Sequence, residues 1–322
     1  VSPASPALTF TYDTAAPSVT VDIAATALKA GETSSVTFTF NEAPQGFALG
    51  DIASAQGSFS GLTATANPLV WTATFTPNTN IEDTATVTVT AGSYTDVAGN
   101  LGTAGSDTTL VDTQGPAAPT LALSTDSGVS SSDKITNDGT LTVSGTETGA
   151  LVEYSTNGTD WSSSFTPAQG SNTVYVRQTD TAGNVSPASP ALTFTYDTAA
   201  PSVQVNIAEA DLASGESSTV TFTFSEAPLG FNATDISSPN GTLSGLTQDA
   251  SNPNLWTATF TPNTGFTGTA TISVANGAYT DAAGNAGTGS SDSVAIDTQA
   301  PSLAINIAEA DLASGESSTV TF

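Results

Sequence analysis

The sequence predicts an all-β chain, a set of small β-sandwich domains joined in tandem. Three observations lead there. Short runs alternate apolar residues with Thr or Ser, long internal repeats return at about one sandwich length, and no window carries the i, i+3, i+4, i+7 pattern of a long helix.

The repeats come first, because they set the register for everything else. Residues 1–19 are identical to 185–203, and 301–322 reproduce 201–222 except at Val203/Leu303, Gln204/Ala304 and Val205/Ile305. Residues 17–115 and 201–300 align as one type, A, sharing "VTFTF", "WTATFTPNT" and "YTDxAGN". Residues 116–200 form a shorter type, B, whose last strand recurs in 1–16, and 301–322 open a further A repeat. Each boundary carries "DTxxP", at Asp13–Pro17, Asp112–Pro116, Asp197–Pro201 and Asp297–Pro301. The spacings of 99, 85 and 100 residues each suit one sandwich domain. So little linker remains that the domains are expected to abut end to end.

The strands follow from period-2 alternation. "SSVTFTF" (34–40), "WTATFTP" (71–77), "ATVTVTA" (85–91), "NTVYVRQT" (172–179) and "ALTFTYDT" (191–198) each read as half-buried strands. In an immunoglobulin-like sandwich of this register, strand A covers about 18–23, B 34–41, F 85–95 and G 107–113. Asn157-Gly158 predicts a two-residue hairpin turn. Trp71, Trp161 and Trp256, one per domain, are expected to anchor the cores.

Charge narrows the function. The 322 residues hold 30 acids against Lys29, Lys134 and Arg177, with no His and no Cys, for a net charge of −27. That excludes an electrostatic footprint for nucleic acid or an anionic membrane surface. No apolar run approaches the roughly 20 residues of a membrane span. Without His or Cys there is no Ser-His-Asp triad, Cys nucleophile or His-bound zinc. A glycosidase-like carboxylate pair belongs once in a cleft, whereas these acids recur at every boundary, so no enzyme is expected. The acids need a counter-charge, and Ca²⁺ is the cation that prefers all-oxygen sites.

The sandwich places the B–C and F–G loops at the pole where the chain enters. Glu42 opens the B–C loop and Asp96 of "YTDVAGN" opens the F–G loop, beside Asp13 of the preceding boundary. The same mapping gives Asp112, Glu147 and Asp180 in type B, and Asp197, Glu226 and Asp281 in the second A repeat; Asp297 begins another set. Three acids in a small volume repel one another, and a hard cation with six to eight oxygen ligands relieves the conflict. Asn100, Asn184 and Asn285 are further candidate ligands through their carbonyl oxygens. A plainer reading stands beside this one: the Asp and Asn of "D…GN" cap a solvated turn. Secondary candidates are Asp51 and Asp235 near the same pole. Asp126, Asp133 and Asp138 lie in the opposite A–B loop, as a second site or a solvated loop.

The "FTFSEAP…WTATFTPN…AYTDAAGNAG…DTQAP" pattern of type A resembles the bacterial Ig-like domains repeated in giant RTX-type adhesins. Type B, with "TDSGVSSSDKITNDGTLTVSG" and "VYVRQTDTAGNVSPAS", is similar to a second class from the same proteins. The resemblance spans the whole chain. It implies a cell-surface stalk stiffened by Ca²⁺, exported by type I secretion, whose partners are neighbouring domains of the same chain. It also implies that the boundary Asp, B–C acid and F–G Asp are the ligands. A self-assembling extracellular filament, with lateral copies pairing strand edges, is the alternative, since the chain opens and closes inside repeats. A glycan-binding module, which needs exposed aromatic platforms, is the weakest of the three.

Overall fold

The computed structural model describes residues 4–322, and these are almost entirely strand, turn and loop, with two single-turn 3₁₀ helices. The chain divides into two compact units. Of the described residues, one comprises those up to 122, 142–165 and 173–192; the other comprises 123–141, 166–172 and 193–322.

The first unit holds the first A repeat. Its strands are β1 (Val19–Ile23), β2 (Ala27–Lys29), β3 (Ser34–Phe40), β4 (Ile52–Ala53), β5 (Gly57–Ala64), β6 (Val70–Pro77), β7 (Glu82–Val89) and β8 (Gly105–Asp112). They form two sheets, ordered β1-β3-β6-β5 and β2-β8-β7-β4. Alternation sends every second residue inward, so β3 buries Ser34, Val36, Phe38 and Phe40. Val36, Phe38, Phe75, Ala85, Val87 and Val89 are wholly buried, each large side chain contributing about 1.5–3 kcal/mol by leaving water. The entering strand switches sheets midway. β1 pairs antiparallel with β3, whereas β2 runs parallel to β8 with Lys29 opposite Asp112. Asp107 Oδ2 accepts the Ile23 N–H (2.8 Å) and Thr109 Oγ1 donates to the Ala25 carbonyl (2.8 Å), satisfying the backbone freed at the switch.

The second unit repeats this plan over residues 203–297, with sheets built on Val203–Ile207, Ser218–Phe224, Leu255–Pro262 and Gly241–Gln248, and on Asp211–Ala213, Ser290–Asp297, Thr267–Val274 and Ile236–Ser237. In both A repeats the long edge strand is broken by a bulge at a left-handed glycine, Gly61 and Gly245. Of the other edges, β2 and β4 hold only three and two residues, and β1 holds five.

Type B contributes to both units. In the first, Leu151–Ser155 pairs antiparallel with 175–179; in the second, Ile135–Thr136 runs parallel to 195–196.

Three expectations need correction. Strand F ends at Val89, not near residue 95, because the chain turns at Gly92 and sends Tyr94 down into the core. The Asn157-Gly158 hairpin is wider than two residues. Tyr154 pairs with Ser162, and the Asn157 side chain accepts the N–H groups of Thr159 and Asp160, an Asx turn. Trp71 and Trp256 pack half-buried against their cores, but Trp161 lies half-buried under the Arg177 guanidinium, 4.3 Å from its ring centre. Arg177 also pairs with Glu153 at 2.9 Å, which accounts for its fixed position.

Candidate cation sites at the domain junctions

The recurring "TDxAGN" loop folds identically in its three copies, and its hydrogen bonds explain the residue choice. Asn100 N–H donates to Asp96 Oδ1 (2.8 Å), and Asn100 Nδ2 donates to Asp96 Oδ2 (2.7 Å) and to the Asp13 carbonyl (3.2 Å). Asn184 makes the same bonds to Asp180 and to the Asp112 carbonyl (3.0 Å), as Asn285 does to Asp281 and the Asp197 carbonyl (2.8 Å). The intervening Gly99, Gly183 and Gly284 hold φ of 92°, 94° and 90°, a conformation glycine adopts without penalty. The aspartate is therefore a turn acceptor in every copy, as the turn-capping reading has it. The asparagine amide ties the loop to the incoming linker. Its nitrogen is thus committed to bonding, and in two copies its oxygen is engaged too: Asn184 Oδ1 accepts the Ala30 N–H (2.9 Å) and Asn285 Oδ1 accepts from Asn137 Nδ2 (3.2 Å). The geometry gives these asparagines a bracing role through their amide nitrogens.

What distinguishes the A repeats is a third acid. In the first unit, Asp13, Glu42 and Asp96 each offer an oxygen within 4.8 Å of the others. In the second, Asp197, Glu226 and Asp281 do the same. The F–G aspartates are buried and the B–C glutamates half-buried; of the boundary aspartates, Asp13 is exposed and Asp197 half-buried. Burial would raise the Asp96 pKa, but bonds from the Asn100 side chain and the N–H groups of Asn100, Gly99 and Ala98 outweigh it and hold the carboxyl below its ordinary range. Glu42 has no such donors. Burial, then the charges of Asp96 and Asp13, push its pKa up; Glu226 is pushed up likewise by burial, Asp281 and Asp197. An all-oxygen donor set in mutual repulsion suits a hard divalent cation.

Type B does not complete such a set. Asp112 and Asp180 meet at Asn184, whose Nδ2 also reaches Asp112 Oδ1 (3.3 Å), but Glu147 is exposed and the three do not converge within the same span. Gln178 stands where the A repeats carry tyrosine. Fully buried, it donates through Nε2 to the Ala117 (2.7 Å) and Gly145 (3.1 Å) carbonyls and accepts the Glu147 N–H (2.8 Å).

The remaining candidates have local roles. Asp51 and Asp235 accept the Ala48 and Asn232 N–H groups (2.8 Å each), capping the two 3₁₀ turns. Asp126, Asp133 and Asp138 accept the N–H groups of Lys134, Ile135 and Thr140 and do not gather. Asp297 accepts from Thr267 Oγ1 (3.0 Å).

Sequence reading missed the residues that carry the joint's frame. Tyr94 is buried and its hydroxyl donates to the Thr103 (2.9 Å) and Pro17 (3.2 Å) carbonyls; Tyr279 repeats this with Thr288 (2.8 Å) and Pro201 (3.3 Å). The Thr of "DTxxP" is equally fixed: Thr113 Oγ1 donates to the Asn78 carbonyl and Thr298 Oγ1 to that of Asn263 (2.8 and 2.7 Å). The recurrence of "YTD" and "DT" was the available signal.

These tandem sandwiches, with loops knitted to their linkers, define a class of modular all-β repeat proteins. One family model described as a bacterial Ig-like domain matches residues 13–112 and 197–296, and a second with that description matches 114–198. The chain belongs to the bacterial Ig-like domain family. No curated protein matches it. Among solved structures it is similar to the Escherichia coli adhesin FdeC (13% identity, 88% of this chain, 98% of that one, TM-score 0.30). It is also similar to a tetra-tandem repeat from the extending region of a large adhesion protein (15%, 92% and 78%, TM-score 0.29). A third is the Yersinia pseudotuberculosis adhesin InvE (13%, 87% and 58%, TM-score 0.23).

Proposed function

We propose that this chain is a structural stalk segment of a secreted bacterial surface adhesin, its joints into A repeats stiffened by Ca²⁺. One observation carries the reading: the acid triad is built twice, each time at the head of an A repeat and each time completed by an aspartate of the incoming linker. A cation held there joins the linker to two loops of the domain that follows. Asp13, Glu42 and Asp96 would hold it in one joint, and Asp197, Glu226 and Asp281 in the other, with main-chain oxygens and water completing the shell. The bound ion supplies neutralising charge and a fixed coordination geometry. Extracellular modules bind Ca²⁺ with Kd of roughly 10⁻⁴–10⁻³ M, so the site would fill outside a cell and empty inside it.

The lateral filament fits less well, because most of the sheet edges are very short or bulged, features that discourage edge-to-edge pairing. The glycan module fits least, since Trp71 and Trp256 pack into cores and Trp161 is covered by Arg177. Solution scattering and calcium calorimetry test the proposal. Two bound ions per chain and a radius of gyration that changes on chelation are expected; no binding up to 10 mM (about tenfold the weaker end of the expected Kd) overturns it.

A further inference from the structure

The joint from the first A repeat into type B is built from different chemistry than the joint from type B into the next A repeat. In the second unit, the far loop of type B meets the following A repeat through neutral groups. Ser127 Oγ donates to the Ala283 carbonyl (2.7 Å) and Asn137 Nδ2 to Asn285 Oδ1 (3.2 Å), and among the described residues none of the three acids forms an ion pair. In the first unit, the far loop of the A repeat brings Lys29 to the type B loop. Lys29 is the strand partner of Asp112, the boundary aspartate itself, and its neighbour Ala30 donates its N–H to Asn184 Oδ1.

The ammonium lies against Gly183, where a Cβ would come within 3.1 Å of Nζ. It shares a 680 Å³ groove with Glu32, Glu82, Asp83, Asp112 and Thr181, as the one basic group among four acids. Among the described residues none of these acids lies within ion-pair distance of it. The corresponding positions of the other A-type loops, in "DLASGE", are Ala213 and Ala313, and the first of these precedes another A repeat. Lys29 therefore falls at the joint where the acid triad is incomplete, packed against the F–G loop, whereas Lys134 of the type B far loop is exposed.

We propose that Lys29 closes the A-to-B joint as a built-in cation and that this joint needs no divalent ion, whereas joints into A repeats do. The second half rests on the calcium reading above; the first does not.

The chain lacks cysteine, so spin labels can be placed freely. One pair at Thr63 and Ser163 spans the A-to-B joint, and another at Ser131 and Thr247 spans the B-to-A joint; all four residues are exposed. In the wild type, EDTA is expected to broaden the second distance distribution at least twofold and leave the first unchanged. Lys29→Ala and Lys29→Met should broaden the first at least twofold, with or without Ca²⁺, and leave the second alone, while Lys29→Arg restores the first. An unchanged first distribution in both neutral variants overturns the role of Lys29, and EDTA broadening of the first pair overturns its metal independence. If EDTA leaves the second pair unmoved while the Lys29 variants still broaden the first, the calcium reading fails and the lysine joint stands.

Discussion

The F–G loops of the A and B repeats share a backbone and differ in what stands beneath it. Under Asp96 and Asp281 sits a buried tyrosine whose single hydroxyl reaches the linker proline carbonyl and leaves the B–C glutamate free to face the aspartates. Under Asp180 sits Gln178, which has a donor and an acceptor, and its acceptor takes hold of the Glu147 backbone. One substitution at the base of the loop thus accompanies the difference between a converged acid triad and an open one. A turn motif can be conserved in shape while the chemistry above it changes, because the loop's own hydrogen bonds close without the third acid.

The sharpest way to break this contrast is Gln178→Leu. It removes the hydrogen bonds to the Ala117 and Gly145 carbonyls and from the Glu147 N–H, a cost of about 2–4 kcal/mol. Hydrogen exchange resolved by repeat should show lost protection across 145–150 and 176–186, with the A repeats unchanged. An effect shared by all repeats would mean the loops are not independent units.

Asp96→Ala should act next most strongly, and in two ways. It removes the acceptor that organises the Ala98–Asn100 turn, loosening the first A repeat in chelator, and it abolishes the added protection that Ca²⁺ gives that repeat. Asp180→Ala should show the first effect without the second. Equal calcium responses in the two variants would erase the proposed distinction between joints.

Tyr94→Phe keeps the packed ring and loses bonds to the Pro17 and Thr103 carbonyls, so about 0.5–1.5 kcal/mol is expected, read as faster exchange near residues 102–104. A loss several times larger would place the tyrosine's weight in the linker rather than the core.

The smallest effect concerns pH. Glu226 has a folded-state pKa raised above its unfolded value, so the metal-free folded chain holds that proton more tightly than the unfolded chain does. Metal-free stability should therefore fall as pH rises from the ordinary glutamate range through the raised value, and Glu226→Gln should flatten the slope. Asp96 and Asp180 act in the opposite sense: their lowered pKa values stabilise above the ordinary aspartate range, and that stability is lost as pH falls through the lowered values. Excess Ca²⁺ should suppress the Glu226 slope, because the bound ion replaces the proton as counter-charge. Thermal unfolding from about pH 2 to about pH 7 in EDTA and in Ca²⁺ checks both signs.

Much of this molecule is written in local pattern. The alternation in "SSVTFTF" dictates which face of β3 is buried, since side chains alternate across a pleated strand whatever its neighbours. The repeat register alone placed Asp13, Glu42 and Asp96 at one pole, because an antiparallel sandwich returns alternate loops to the same end. Local pattern left the end of strand F open, since Tyr94-Thr95 resumes an apolar–polar alternation beyond Gly92-Ser93. Only the core, by drawing in Tyr94, decides that the chain turns at Gly92. Nor does the sequence separate a B–C acid that converges from one that does not. Glu42 and Glu147 occupy equivalent positions, and the Glu147 backbone differs in donating its N–H to the Gln178 side chain, 31 residues away. Composition and period determined the fold, because burial acts residue by residue. Tertiary structure decided the site, because whether three charges meet depends on angstrom-scale placement of backbones that sequence neighbours do not set.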